Sequence, residues 1–568
     1  MRYSELADVY EELESTAKKL EKSDIIAKLL KKTPAKILPD VVLLLQGKVY
    51  PEWSEEVLGV AGQLMIRAIA KATGESAEDV MDIFTKKGDL GLTVEDLSKQ
   101  KKQRTLFSEE LTIEKVFENL KQIAKQAGAG SQDKKQMLIA ELIAHAKPKE
   151  AKYIVRTVLE ELRVGVAEGL VRDAIAKAFG VEPKVVEDAW FLRPDYGEIA
   201  EIAKEKGEAG LKKVKIEVGM PIHVLLAEKS PDLKTAVESY DKVLLEYKYD
   251  GMRTLIHKQG NKIWIFTRRL ENVTAAFPDL VKLCKENIMA RECILDSETI
   301  GVDKNGKPVP FQLLSTRIKR KHEIEASVGK IPIISNLFDI IYLNGEILFD
   351  EPLWKRKEIL EKSITEKKGK FHIAEGLVTK DLEKAEKFYK EALKAGQEGL
   401  IVKNLDAKYQ PGRRVAGGWL KVKPVMESLD LVIVGATWGA GKRAGTLGSF
   451  FLALRDPSTG KFLECGMMGS GVKEKRSEAM EASEMTLKEL TKELKPLIEF
   501  EKGNTVKIKP KIIVEVAYEE IQKSPTYESG YALRFPRLVK MRPDKALEEV
   551  DTKTRIKRLY EQQKGKKR

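Results

Sequence analysis

Lys248 is set between two carboxylates. The segment Glu246-Tyr247-Lys248-Tyr249-Asp250-Gly251-Met252-Arg253 follows the apolar run Val243-Leu244-Leu245, which reads as a buried strand. Side chains alternate along a strand, so Glu246, Lys248 and Asp250 point to one face. Gly251 turns the chain beyond them. Such an arrangement adds little to stability, but it presents a lysine amine to a charged ligand. Alternating charge on a solvated strand face is the plainer reading of a K-x-D-G standing alone, so its neighbours along the chain decide the matter.

Further segments follow in order: Leu295-Asp296-Ser297-Glu298, Phe338-Asp339-Ile340, Glu398-Gly399-Leu400-Ile401-Val402-Lys403 and Trp419-Leu420-Lys421-Val422-Lys423. Near the C-terminus come Arg534-Phe535-Pro536-Arg537 and Arg542-Pro543-Asp544-Lys545. Together with the lysine segment, these resemble the nucleotidyltransferase motifs of ATP-dependent DNA ligases of the archaeal and eukaryotic replicative type. Motifs in the right order over more than half the chain make chance a poor explanation.

A lysine attacks as a nucleophile only after losing its proton, and nearby cations and a metal ion favour that loss. Lys403, Lys421 and Lys423 supply cations; the last two lie on one strand face with Trp419. The resemblance implies that Lys248 attacks the α-phosphate of ATP to form a lysyl-AMP phosphoramidate, and that the cations stabilise the charge developing there. It also implies that Glu246 accepts from the adenine amine, that Phe338 stacks on the base, and that Arg253 and Glu298 hold the ribose or its neighbouring phosphate. Asp296 and Glu298 share a strand face, so either could reach the pocket; the family pattern favours Glu298. Glu398 corresponds to the family's metal-associated carboxylate, and with Glu298 forms the expected Mg2+ site, since magnesium prefers hard oxygen ligands and phosphates. Glu398 and Lys403 are five apart and should face opposite ways, unless Glu398 precedes the strand on a turn or a bulge intervenes. Arg542 and Lys545 are expected to face the pyrophosphate leaving group, with Asp544 orienting them.

Other segments are less specific. Arg268 in Thr267-Arg268-Arg269 is a candidate for the 5′-phosphate of a nick, against a plain reading as surface charge; Arg317 is a weaker one. Gly435 to Arg443 invites a phosphate-loop reading, but Ala436 and Arg443 stand where that loop needs Gly and Ser or Thr. The stretch instead resembles the family's G-K-R-A-G loop, whose Lys442 and Arg443 would touch DNA backbone. Gln103, Leu106 and Phe107 resemble a shortened sliding-clamp-binding peptide, against an ordinary linker. Glu161 to Glu168 resembles the L-R-x-G signature of the family's helical domain, but by itself reads as a helix and turn.

These residues need a framework. Residues 1–212 read as all-helical by apolar periodicity, with Leu6, Val9, Tyr10 and Leu13 forming one stripe. Between 213 and 424 short strands alternate with helices: Leu382 to Ala395 reads as helical and Leu400 to Val402 as extended. From 425 to 568 short strands separated by Gly turns suit a small barrel. The expected architecture is therefore multidomain: an all-α domain, an α+β, ATP-grasp-like nucleotidyltransferase (adenylation) domain, and an all-β OB-fold with a basic tail, helical from Lys553 and frayed at Lys564 to Arg568.

At 568 residues and 42% hydrophobic content, the chain can bury several cores. A net charge of +13 favours a polyanionic partner. Abundant Lys and Glu with only three Cys suit a thermophile, and the Cys and His spacing offers neither a zinc module nor a disulfide framework. No signal-peptide core or membrane-length apolar run is present. These bulk properties imply a soluble, intracellular protein, and the family resemblance implies a nucleoid-associated monomer that uses ATP and Mg2+ to seal nicked double-stranded DNA. The alternatives are an RNA ligase, a capping-type nucleotidyltransferase, or a non-catalytic DNA-binding protein. Glu246 and the helical domain argue against capping, and the presence of every motif residue argues against lost catalysis.

Overall fold

The computed structural model describes residues 1–100, 110–128, 130–309, 311–318, 331–412, 418–424, 426–439, 445–473 and 485–563. Its first part is helical, from Tyr3–Ser15 to Tyr196–Leu211. The stripe on the first helix is inward: Leu6, Tyr10 and Leu13 are fully buried in one large core. Thr112 and Asp195 cap their helices by accepting from backbone N–H groups. Across the core rim, Arg156 bridges Glu14 at 3.0 Å and Asp89 at 3.0 Å. The Leu162-Arg163-Val164-Gly165 segment is a tight turn with φ of +60° at Arg163 and +68° at Gly165, and Arg163 reaches back to the same Asp89 at 3.0 Å.

The middle of the chain carries β1 (Glu228–Lys229), β2 (Val243–Lys248), β3 (Met252–Gln259), β4 (Lys262–Thr267), β5 (Glu292–Gly301), β6 (Ile333–Leu343), β7 (Glu346–Ile347), β8 (Phe371–Ile373), β9 (Gly376–Val378), β10 (Gly399–Asn404) and β11 (Trp419–Val422). They form two sheets. One is five-stranded in the order β1-β11-β10-β2-β9; the other is six-stranded, β4-β3-β5-β6-β7, with β8 against β6. Helices Leu233–Glu238 and Leu382–Lys394 cover the outer face of the first sheet through Ala236, Phe388, Leu400 and Val402. Helices Pro278–Asn287 and Phe311–Ile318 pack on the second through Leu280, Leu314 and Leu337. Between the sheets lies a third cluster with Tyr249, Leu255, Phe338 and Trp419. The expected helix at Leu382 and extended run at Leu400 are both present.

The C-terminal part holds β12 (Leu429–Trp438), β13 (Leu447–Arg455), β14 (Phe462–Met468), β15 (Ile498–Lys502), β16 (Thr505–Ile508), β17 (Ile513–Ala517), β18 (Glu520–Lys523), β19 (Tyr531–Arg534) and β20 (Arg537–Met541). Strand β12 is long enough to pair with β13 on one edge and with both β16 and β17 on the other. The circuit β14-β13-β12-β17-β20 closes where Ser470 bridges Arg537. That closure makes the barrel expected of an OB-fold. The segment from Lys553 is more than a solvated tail: helix Lys553–Gln563 buries Ile556 and Leu559 in the barrel core.

One ion pair fastens the second sheet to a helix. Arg356, on helix Leu353–Ser363, meets Asp339 of β6 through two bonds of 2.8 and 2.9 Å, and both side chains are wholly buried. Removing one member of such a pair strands the other charge. Arg356→Met should therefore lower the unfolding free energy of the central domain by about 3–5 kcal/mol, read from its denaturant midpoint; a shift below about 1 kcal/mol would mean that solvent reaches Asp339.

Candidate active site

The lysine segment is where the chain passes from one sheet to the other. Lys248 ends β2, and after Tyr249-Asp250-Gly251 the chain enters β3 of the second sheet. Gly251 is needed there, because a Cβ would lie 2.6 Å from the Thr299 carbonyl oxygen. Alternation holds on β2: Tyr247 packs outward on Phe388, while Glu246 and Lys248 face the cleft.

Lys248 donates to Glu398 Oε2, and Lys423 Nζ lies 2.8 Å from the same oxygen. Glu398 precedes β10 rather than sitting on it. Its N–H donates to the Lys248 carbonyl at 2.8 Å, and Gly399 follows at φ +140°, where a Cβ would stand 2.2 Å from the Val422 carbonyl oxygen. That turn places Glu398 on the same face as Lys403. Burial works against ionisation of Glu398, but Lys248 and Lys423 outweigh it and hold the carboxyl down at about 2. Lys421 shares the inward face of β11 with Trp419 and Lys423, opposite Ile401 of β10.

Glu246 is buried and takes two lysines. Lys357 Nζ is 2.6 Å from Oε1, and Lys403 pairs with Oε2. Burial opposes the charge on Glu246, yet these lysines keep its carboxyl below the ordinary range. Lys403 was expected with the phosphate-facing cations; instead its ammonium lies over Phe338 at 4.4 Å and over Trp419 at 4.1 Å. Desolvation in that aromatic box lowers its proton affinity. Lys357 was not anticipated. It lies in a run of basic residues on a polar helix, and no motif in the sequence distinguishes it from a solvated lysine.

Arg253 differs from expectation too. It chelates Asp296 through bonds of 2.9 and 2.6 Å and donates to the Leu225 carbonyl at 2.6 Å. The guanidinium thus builds the pocket wall beside Phe338 and Trp419. Asp296 also accepts from Tyr409 at 3.0 Å. Glu298, paired in register with Arg253, has its carboxyl raised by burial to about 8; Lys248 and Arg253 lower it, while Glu398 and Asp296 raise it further. Asp250 is pushed up to about 6, by burial first and then by Glu398 and Glu520.

The remaining candidates are dispersed. Arg268 is exposed at the end of β4. Arg317 is buried against Asp279 at 2.7 Å and over the Phe277 ring at 4.5 Å, which gives it a structural part in place of phosphate contact. Arg542 and Lys545 both grip Asp430 of the barrel, at 2.8 and 2.6 Å, because the β17–β20 pairing lays them beside β12. From the barrel Glu519 comes within 4.0 Å of Lys423, and Glu520 and Arg534 lie near enough to Asp250 to act on its carboxyl. Gln103, Leu106, Phe107, Lys442 and Arg443 lie outside the described residues.

Glu298 binds its proton more tightly in the folded protein than in the unfolded chain, where its ordinary value is 4.5. The stabilisation this gives is complete below that value and lost as pH rises through about 8. Between about pH 5 and 9, the melting temperature of the ligand-free protein should therefore fall relative to that of Glu298→Gln. Parallel curves would show that Glu298 is already ionised.

Family models described as DNA ligase N terminus, ATP dependent DNA ligase domain, and ATP dependent DNA ligase C terminal region match residues 2–176, 224–423 and 443–545. A DNA ligase of Nanoarchaeum equitans is 47% identical, covering 100% of this chain and 99% of its own length. Another, of Thermococcus onnurineus, is 46% identical over 99% of this chain and 98% of its own. The solved structure Pmar-Lig_PreS3 shares the fold at 17% identity, with a TM-score of 0.56, covering 94% of this chain and 99% of that one. With this likeness along its whole length, and a cleft lysine held among paired carboxylates and cations, the chain belongs to the ATP-dependent DNA ligases.

Proposed function

We propose that this protein seals nicks in duplex DNA in three steps, with Lys248 as the nucleophile that first takes AMP from ATP. The AMP then passes to the 5′-phosphate of the nick, and the 3′-hydroxyl displaces it. The observation carrying this reading is the shared grip of Glu398 on Lys248 and Lys423 at the crossing between the sheets. Lys248 becomes free to attack once Glu398 gives up that contact, keeping Lys423, and the ammonium loses a proton to solvent; its nitrogen then bonds the α-phosphorus as the bond to pyrophosphate breaks. Lys421 and Lys423 then face the α-phosphate, and catalysis is mainly positioning and electrostatics.

Among the described residues, no group of three or more His, Cys, Asp or Glu side chains forms a ready metal cage. That suits magnesium, which keeps its waters and needs one or two carboxylates plus substrate phosphates. Glu298 and Glu398 would hold it. When bound, it would neutralise phosphate charge. Burial raises the Glu298 carboxyl in the ligand-free site, and a bound cation would favour its ionised form, the proton passing to solvent.

On this reading three domains, 1–212, 213–424 and 425–568, close around the duplex as a monomer. Among the described residues, no helix is long and apolar enough to cross a membrane. Arg542 and Lys545 would leave Asp430 for the pyrophosphate when the barrel turns over the nucleotide.

Labelled ATP tests the nucleophile. Lys248→Ala and Lys248→Arg should both lose covalent AMP while retaining DNA binding, since a guanidinium stays protonated; label on either variant would move the nucleophile elsewhere. The paired change Arg542→Ala with Lys545→Ala should depress self-adenylation by about 100-fold or more, yet leave sealing of a pre-adenylated nick within a few-fold. Equal loss in both reactions would place these residues in a later step.

A further inference from the structure

Helix Leu353–Ser363 carries two adjacent basic residues that reach different sheets. Arg356 locks onto Asp339, the neighbour of Phe338 on β6. It also donates to the Glu351 and Ala407 carbonyls at 2.6 and 3.1 Å, so the helix has a rigid seat. Lys357, the next residue, crosses the cleft to Glu246 on β2 of the other sheet. Its side chain is 13% exposed and that of Glu246 3% exposed, so solvent screens this contact little.

We infer that Lys357 is a positioning residue that sets the nucleobase preference of the nucleotide pocket by fixing the Glu246 carboxylate, ionised, in one orientation. The inference rests on the reading of Glu246 as the group facing the adenine amine. An ionised carboxylate only accepts hydrogen bonds. It welcomes the amine of adenine and repels the carbonyl oxygen that guanine or hypoxanthine carries in its place. A carboxyl that is protonated, or free to rotate, can donate to that carbonyl and loses the distinction. Lys403 cannot hold Glu246 alone, because its ammonium also lies over the Phe338 and Trp419 rings. Contact with both oxygens is what fixes the carboxylate plane. The Phe338 ring and Glu246 belong to different sheets, and the Arg356-Lys357 pair is a second link, beside Lys403, that registers one against the other.

The test is self-adenylation of the full-length protein over a range of ATP concentrations, with GTP and inosine triphosphate as competitors. Lys357→Met should raise the KM for ATP by about 10-fold, change kcat by less than about 3-fold, and narrow the preference for ATP over GTP by about 10-fold. Lys357→Gln keeps a donor without the charge and should show the same loss, which guards against misfolding of the Met variant. Lys357→Arg should restore most of the preference. A preference within about twofold of wild type in both neutral variants, or a fall in kcat alone, would overturn the inference. Glu246→Gln separates the two readings. If it narrows the preference and the Lys357 variants do not, Lys357 is merely structural; if it changes nothing, Glu246 does not face the base and the inference falls with it.

Discussion

The centre of this molecule depends on one carboxylate serving two lysines. Glu398 pairs with Lys248 and Lys423 together, and offsets much of the cost of holding two ammonium groups in a half-buried cleft. The surroundings serve that geometry. Gly399 takes a backbone conformation that brings Glu398 out of strand alternation, and the Lys248 carbonyl receives its N–H. Glu398 therefore holds Lys248 twice, through the backbone and through the side chain. An amine held in an ion pair stays protonated, and only a change of partner releases it.

The same logic recurs at the edges of the cleft. Arg253 with Asp296, Arg356 with Asp339, and Glu246 with Lys357 and Lys403 are all buried or nearly so. Pairs of this kind contribute little net stability compared with apolar packing, but they punish misplacement severely. Walls built from them hold their shape and make a pocket selective, a property suited to a protein that must admit one nucleotide among several.

Much of this was legible in the residues themselves. Alternation around Lys248 correctly put Glu246 and Lys248 on one face, and Trp419 with Lys421 and Lys423 on another strand's inward face. The stripe of Leu6, Tyr10 and Leu13 announced a helical domain, and the short strands after 425 announced a barrel. What the sequence hid lies in long-range pairing. Nothing local says that Arg253 is taken up by Asp296, that Lys403 sits over two rings, or that Asp430 holds Arg542 and Lys545; each partner is distant along the chain. Lys357 was invisible for a related reason: in a basic helix every lysine looks alike until the fold chooses one. Glu398 was half legible, since its spacing from Lys403 signalled an irregularity but not whether a turn or a bulge supplied it.

The short passage from Lys248 to Met252 joins the two sheets like the spine of a book. Three residues separate the covers at that point, so the cleft cannot widen there whatever happens elsewhere. A ligand held between the sheets would have the open fore-edge as its way in and the Lys248 end of the cleft as its stop. The Lys248 amine stands beside that passage, where a change in the spacing of the covers moves it least. The far edges of the sheets can then shift while the surroundings of that amine stay nearly constant.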